Sequence, residues 1–173
     1  MSSKLRYSLF NMLLIVIPWL SLIFIGKRNF KRYSMVGIII VFFEIINHII
    51  GNKKKWWVFY NKKGSFLVNE LPFSIGPYMP ISMWIMKYTY GNFKKFVITN
   101  ILSDGLFAFI VMDILKKIRI IKLHKLNKLQ FFFYIHYKAY LLYGIQYLKE
   151  NYGNLIYKIQ TKIKNRVRRL ISS

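Results

Sequence analysis

Five apolar runs of roughly 17 to 25 residues, the length a helix needs to cross the hydrocarbon core of a bilayer, recur along this chain at 8 to 26, 33 to 50, 72 to 90, 96 to 115 and 129 to 148. A backbone in lipid must satisfy its hydrogen bonds internally, which leaves helices and closed barrels as spanning structures. The runs are continuously apolar rather than alternating, so helices are expected. With 55% hydrophobic residues and a mean hydropathy of +0.30, a chain of 173 residues has more apolar surface than a water-soluble core of that size buries. The expected fold class is all-α, a polytopic transmembrane bundle of five spans occupying residues 1–150, followed by a basic tail over 151–173.

The charge is strongly positive: 28 Lys and Arg against 5 Asp and Glu, a net +23. On a soluble chain this would suggest nucleic acid. Here most of the bases fall between apolar runs, where each attracts anionic lipid headgroups by about 1 kcal/mol. Membrane lipids are therefore the expected partners, and nucleic acid is not. Heavy use of Lys, Ile, Asn, Phe and Tyr also matches the coding bias of an AT-rich genome, which dilutes the message in the charge. The absence of cysteine excludes disulfides, thiolate catalysis and Cys-ligated zinc or iron–sulfur sites.

The first run follows Lys4 and Arg6 but is long for a signal sequence. It contains Pro18-Trp19 and ends in Gly26-Lys27-Arg28 without a cleavage pattern, so it reads as a retained helix. The connection 51 to 71 is the longest, and its Lys53-Lys54-Lys55-Trp56-Trp57 run reads as an interfacial stretch. Trp56, Trp57 and Trp84 are expected interfacial anchors. Pro72, Gly76, Pro77 and Pro80 break the ladder of the third run, so its helix is expected to begin near Pro80. In the tail, Leu155, Ile159, Ile163, Val167 and Leu170 alternate with Lys158, Lys162, Arg166 and Arg169 at helical spacing, a basic amphipathic surface helix. Basic residues divide equally between the two sides of a five-span chain; setting the distal tail aside favours a cytoplasmic N-terminus.

Carboxylates stand where lipid is expected. A charged group there costs roughly 2.5 to 3.5 kcal/mol on insertion scales, so it normally faces the bundle interior. Glu44 and His48 share one helical face, and Asn100 and Asp104 repeat that spacing. Lys138 sits too deep in its run to snorkel and is the natural counter-charge for Glu44 or Asp104, whereas Lys87 lies near a helix end and snorkels. Glu44, His48, Asn100, Asp104 and Lys138 form the expected intramembrane polar core. Such a core can serve packing alone, or it can line a proton or cation path. A metal site from Glu44, His48, Asp104 and His136 is chemically conceivable but lacks the repeated Glu-x-x-His pattern. Ser103 is adjacent to Asp104 and points about 100° away from it, so the two are not a catalytic dyad. Asp113 is expected to pair with Lys116 or Lys117.

The order of features is distinctive: Pro18-Trp19, Arg32-Tyr33, Glu44, Trp56-Trp57, Pro72-Phe73, Gly76-Pro77-Tyr78, Trp84, Thr89-Tyr90-Gly91 with Phe93, Asn100, Asp104 and Tyr143-Gly144-Ile145-Gln146. Over residues 12 to 148 the chain resembles an uncharacterised family of small multi-spanning membrane proteins of low-GC, often spore-forming, Gram-positive bacteria. The resemblance implies a multi-pass topology in a bacterial cytoplasmic membrane and puts Glu44, Trp57, Trp84, Asn100 and Asp104 on motif positions. It implies no reaction, and the basic tail departs from it.

The reading that follows is non-enzymatic, a structural or accessory membrane component without a cofactor, able to form a homo-oligomer or join another membrane protein. The alternatives are a proton- or cation-linked transporter or channel subunit using Glu44, His48 and Asp104, and an intramembrane lipid-modifying enzyme.

Overall fold

The computed structural model describes residues 3–61 and 64–171; the side chains of Lys4, Arg166, Val167, Arg169 and Leu170, named above, lie outside the description. The described chain is helical apart from one short ladder. Helix α1 (Ser3–Ser21) ends in a 3-10 turn, Leu22–Ile25, and α2 covers Lys27–Lys54. Strand β1 (Trp57–Phe59) precedes two short helices, α3 (Phe66–Asn69) and α4 (Leu71–Phe73). A π-helical turn, Ser74–Tyr78, joins α4 to α5 (Met79–Thr89). Helix α6 (Phe93–Gly105) passes through a second π-helical stretch, Leu106–Val111, into α7 (Met112–Lys117). Strand β2 (Ile121–Leu123) leads to α8, which runs from Lys128 to Ile171.

Three of these units are long and apolar enough to cross a membrane: Leu5–Ile25, Lys27–Lys54 and Phe93–Lys117. Their exposed side chains are largely Leu, Ile, Val and Phe, as lipid-facing surfaces require. The α4–α5 unit and the first half of α8 pack against α2 and α6, α8 burying one face and exposing Leu129, Phe133, Leu141 and Leu148 on the other.

Tight turns at Gly26 (φ +83°) and Gly91 (φ +94°) mark one end of the bundle, a backbone region that favours glycine. The opposite end carries the start of α1, tied there by Tyr7 to Ile120, and an antiparallel ladder pairing Trp57 with Leu123, Val58 with Lys122 and Phe59 with Ile121. The turn end and the ladder end differ in their cores. Val36, Ile40, Met83, Met86, Phe96 and Leu142 fill the former; Trp57, Phe73, Met112, Ile121, Phe131 and Ile135 fill the latter.

Three local expectations change. Residues 51 to 71 do not simply lie along an interface: the pairing of β1 with β2 draws Trp57 into the core, 5% exposed, so it is not an interfacial anchor. The helix of the third run does not wait for Pro80. It begins at Leu71, and the π turn accommodates Pro77 by shifting the hydrogen-bond register instead of ending the helix. Asp113 bridges to Lys128 at 2.5 Å, because the chain reverses through β2 and returns Lys128 beside it.

At the turn end Arg32 of α2 grips Glu150 of α8 through two hydrogen bonds of 2.7 Å, with its guanidinium 5.2 Å from the ring centres of both Tyr33 and Tyr90. The Arg32 guanidinium holds the Glu150 carboxyl below its ordinary value of 4.5. A depressed carboxyl contributes stability that is full above the unfolded value and lost as pH falls through the folded one. The pair is partly exposed, 45% and 27% for the two side chains, so screening limits its worth to at most about 1 kcal/mol. Glu150→Gln should lower the thermal midpoint in detergent slightly at neutral pH, and the two proteins should converge as the pH drops below 4.5. A gap that persists in acid would assign the effect to Gln146, which also donates to Glu150 at 2.6 Å.

Candidate functional site

Between the two apolar cores lies a layer of charged side chains. Glu44 faces inward from α2 because Val36, Ile40, Glu44, Asn47, His48 and Gly51 form one buried stripe, while Ile38, Phe42, Ile46 and Ile49 cover the lipid-facing side. Lys138 reaches it from the inner face of α8, and its Nζ donates to Glu44 Oε1 at 2.6 Å. The carboxylate is 0% and the lysine 3% exposed. Lys138 Nζ also lies 4.2 Å from the ring centre of Tyr134, a cation–π contact that further shelters the ammonium. Glu44 Oε2 has no hydrogen-bond partner.

His48, one turn along from Glu44, presents Nε2 to that free oxygen at 3.8 Å, too far for a hydrogen bond. Its Nδ1 is 2.7 Å from Ser74 Oγ, in the first residue of the π turn. Nδ1 is also 4.0 Å from Glu70 Oε2. Glu70, read in the sequence only as part of a connection, is 1% exposed and accepts from Trp57 Nε1 at 3.2 Å and Asn52 Nδ2 at 3.1 Å. Burial pushes its carboxyl above the ordinary value of 4.5, while these two donors pull it back. Its signal in the sequence was rarity: it is one of only 5 acids in a chain with 28 bases.

The second carboxylate–base pair is separate. Asp104 of α6 meets His136 Nδ1 of α8 at 2.9 Å, and His136 Nε2 is 2.9 Å from Tyr140 Oη. Asn100 turns its amide back to the Phe96 carbonyl at 2.8 Å, so it neither joins Asp104 nor reaches Lys138 by a hydrogen bond. A cavity of about 100 Å³ nevertheless brings Glu44, Asn100, Ser103, Asp104 and Lys138 onto one wall system, closed on the α5 side by Pro77, Tyr78 and Ser82. Both π-helical segments border it, through Pro77 and Tyr78 on one side and Phe107 on the other. The extra residue in each π turn rotates the following side chains, which is why such turns recur at functional positions.

Of the conceivable metal set, Glu44 is taken by Lys138, Asp104 by His136 and His48 Nδ1 by Ser74, and no group of three or more possible ligands occurs among the described residues. Ser103 lines the cavity without a side-chain hydrogen bond among the described residues, and the ring nitrogens of His136 engage Asp104 and Tyr140. Trp84 is half-buried and donates to Ser21 Oγ at 3.0 Å, tying α5 to α1, while Lys87 Nζ stacks over its ring at 4.5 Å. Trp56 is half-buried at the ladder end, with Lys54 Nζ 5.4 Å from its ring. No family model, curated protein or solved structure matches this chain.

Proposed function

We propose that this protein is a five-span integral component of a bacterial cytoplasmic membrane with a structural or accessory role, its charged layer serving to lock helices together. The observation that carries this reading is the Glu44–Lys138 pair, which joins α2 to α8 at a depth where neither group could stand alone. The other acids support it, since Asp104 and Glu150 each meet a partner on another helix. A through-path lined by Glu44, His48 and Asp104 would need polar groups along its whole length. Between Glu44 and the Arg32–Glu150 pair at the turn end stand Val36, Ile40, Met83, Met86, Phe96 and Leu142, an apolar layer that favours the structural reading over a channel.

Five spans follow if the α4–α5 unit and the first half of α8 cross beside the three most apolar helices. Their inward-turned Lys138, His136 and Gln146 explain why composition alone undervalues α8. Beyond the bundle α8 continues without a break, its residues 151–165 exposed, so the basic stretch with Leu155, Lys158, Ile159, Lys162 and Ile163 is the continuation of the fifth span's helix and not a separate helix lying on the bilayer surface.

The absence of native cysteine allows a direct topology test with single substitutions Ser65→Cys, Lys94→Cys, His124→Cys and Asn154→Cys. A membrane-impermeant thiol reagent on intact cells should label positions 65 and 124 from one side and 94 and 154 from the other. Labelling of 65 and 124 from opposite sides would remove the five-span arrangement.

A further inference from the structure

The buried groups at the ladder end form a series that packing alone does not require. An open crevice of about 940 Å³, lined by Asn52, Trp57, Asn69, Lys122 and His124 among others, reaches the two side chains that donate to Glu70. Inward of this, Glu70 and His48 share a second cavity of about 20 Å³, also bordered by Tyr78 and Tyr134. One water needs roughly 10 to 15 Å³ and two or more polar partners, and this cavity offers both. His48 then faces the unpartnered Oε2 of Glu44 at 3.8 Å. Beside Glu44 and Lys138 lies the cavity of about 100 Å³, whose walls include Ile40, Ile85 and Leu142 of the turn-end core, where Met83, Met86 and Phe96 also pack.

We propose that Glu70, His48 and Glu44 form a half-channel for protons, open to the ladder end of the membrane and stopped at the Glu44–Lys138 pair. The steps balance as one proton moved inward. Hydronium from the crevice protonates the Glu70 carboxylate and leaves as water; Glu70 then passes that proton through a water in the small cavity to His48 Nδ1 and is a carboxylate again, while the Ser74 hydroxyl, 2.7 Å from Nδ1, holds the ring in place. The resulting imidazolium gives its Nε2 proton to Glu44 Oε2, and the neutral ring has exchanged one tautomer for the other. Imidazole suits this role because its two nitrogens accept and release on opposite edges. The groups facing His48 are Glu44 on its own helix, Glu70 and Ser74 before and within the π turn, the edge of Trp57 at 5.6 Å, Tyr78 at 6.2 Å and, from α8, the Lys138 ammonium bound to Glu44, whose positive charge also acts on the ring. A proton on Glu44 removes the charge that Lys138 pairs with, so acidity on one side of the membrane acts on the joint between α2 and α8. This goes beyond a purely structural role, and topology mapping can succeed whether or not it holds.

The chain has only 3 histidines, so labelling them with ¹⁵N yields a sparse spectrum in which the ring protons of His48, His124 and His136 are resolved. In nanodiscs the His48 ring proton should exchange with bulk water despite its burial. Glu70→Gln, which keeps the shape but cannot carry a proton onward, should slow that exchange at least tenfold and leave His136 within twofold. Ser74→Ala, a small change tolerated by packing, should slow it as well and serves if Glu70→Gln fails to fold. Phe96→Ala, which loosens the turn end, should leave His48 exchange unchanged. The half-channel is overturned if neither Glu70→Gln nor Ser74→Ala slows His48, or if Phe96→Ala accelerates it.

Discussion

Lys138→Met is expected to destabilise the folded protein by about 3 to 5 kcal/mol, the cost of breaking a buried ion pair and leaving one charge without its partner. Glu44 would then be a carboxylate fully shielded from water, its other oxygen already without a donor. It must either take up a proton or rearrange. Glu44→Gln is not an innocuous amide exchange, because it strands the Lys138 ammonium in the same layer. The informative variant is the double replacement Glu44→Leu with Lys138→Met. An apolar pair of similar volume is neutral or stabilising by about 1 to 4 kcal/mol in comparable settings, so the double variant should recover most of the loss. Unfolding titrations in mixed detergent micelles measure all of these. If Lys138→Met alone costs less than 1 kcal/mol, the pair does not hold the bundle together and the structural reading loses its central support.

The second large effect is expected at Gly76, where the π turn crosses α1. A methyl group there would sit 2.5 Å from the Leu14 carbonyl oxygen and 3.1 Å from its carbon. Backbone cannot swing aside as a side chain can, so α1 would have to move as a whole. It is pinned by Trp19 Nε1 donating to the Ile75 carbonyl at 3.0 Å, Asn11 Nδ2 to Val68 at 2.7 Å and Tyr7 Oη to Ile120 at 3.0 Å. Gly76→Ala should therefore cost about 1 to 3 kcal/mol by overpacking, and Gly76→Val more. Gly144 of α8 is the control, since nothing lies within 4 Å of a Cβ built there. Gly144→Ala should be neutral or stabilise by roughly 0.5 to 1 kcal/mol through helix propensity. Equal losses at the two glycines would mean that helix flexibility, not the α1 crossing, sets the sensitivity.

The contrast between these sites and their sequence signatures follows a physical rule. Glu44 was conspicuous because a single acid inside Ile, Val and Phe violates a local pattern, and Lys138 stood out for the same reason. Which acid Lys138 meets was open, because the choice depends on how far α8 is rotated and translated against α2 and α6. The geometry gives Glu44 to Lys138 and Asp104 to His136. Trp57 was misread because adjacent lysines at a helix end are the usual mark of an interfacial tryptophan. Its burial comes from a ladder with residues 121–123, a pairing between distant segments that leaves no local trace. Glu70 was passed over as a loop acid for the same reason: its donors come from the end of α2 and from β1.

What the sequence determined by itself was how apolar each segment is. Transfer of apolar side chains from water depends on composition over one helix length, so the long apolar helices and the anomalous acids within them are visible residue by residue. What only the tertiary structure decided was who faces whom across the bundle: the ladder that buries Trp57, the π turns beside the cavity, the division of two acids between a lysine and a histidine, and the line from Glu70 through His48 to Glu44. Those depend on distances of a few ångströms between segments far apart in the chain, which packing fixes and no local pattern encodes.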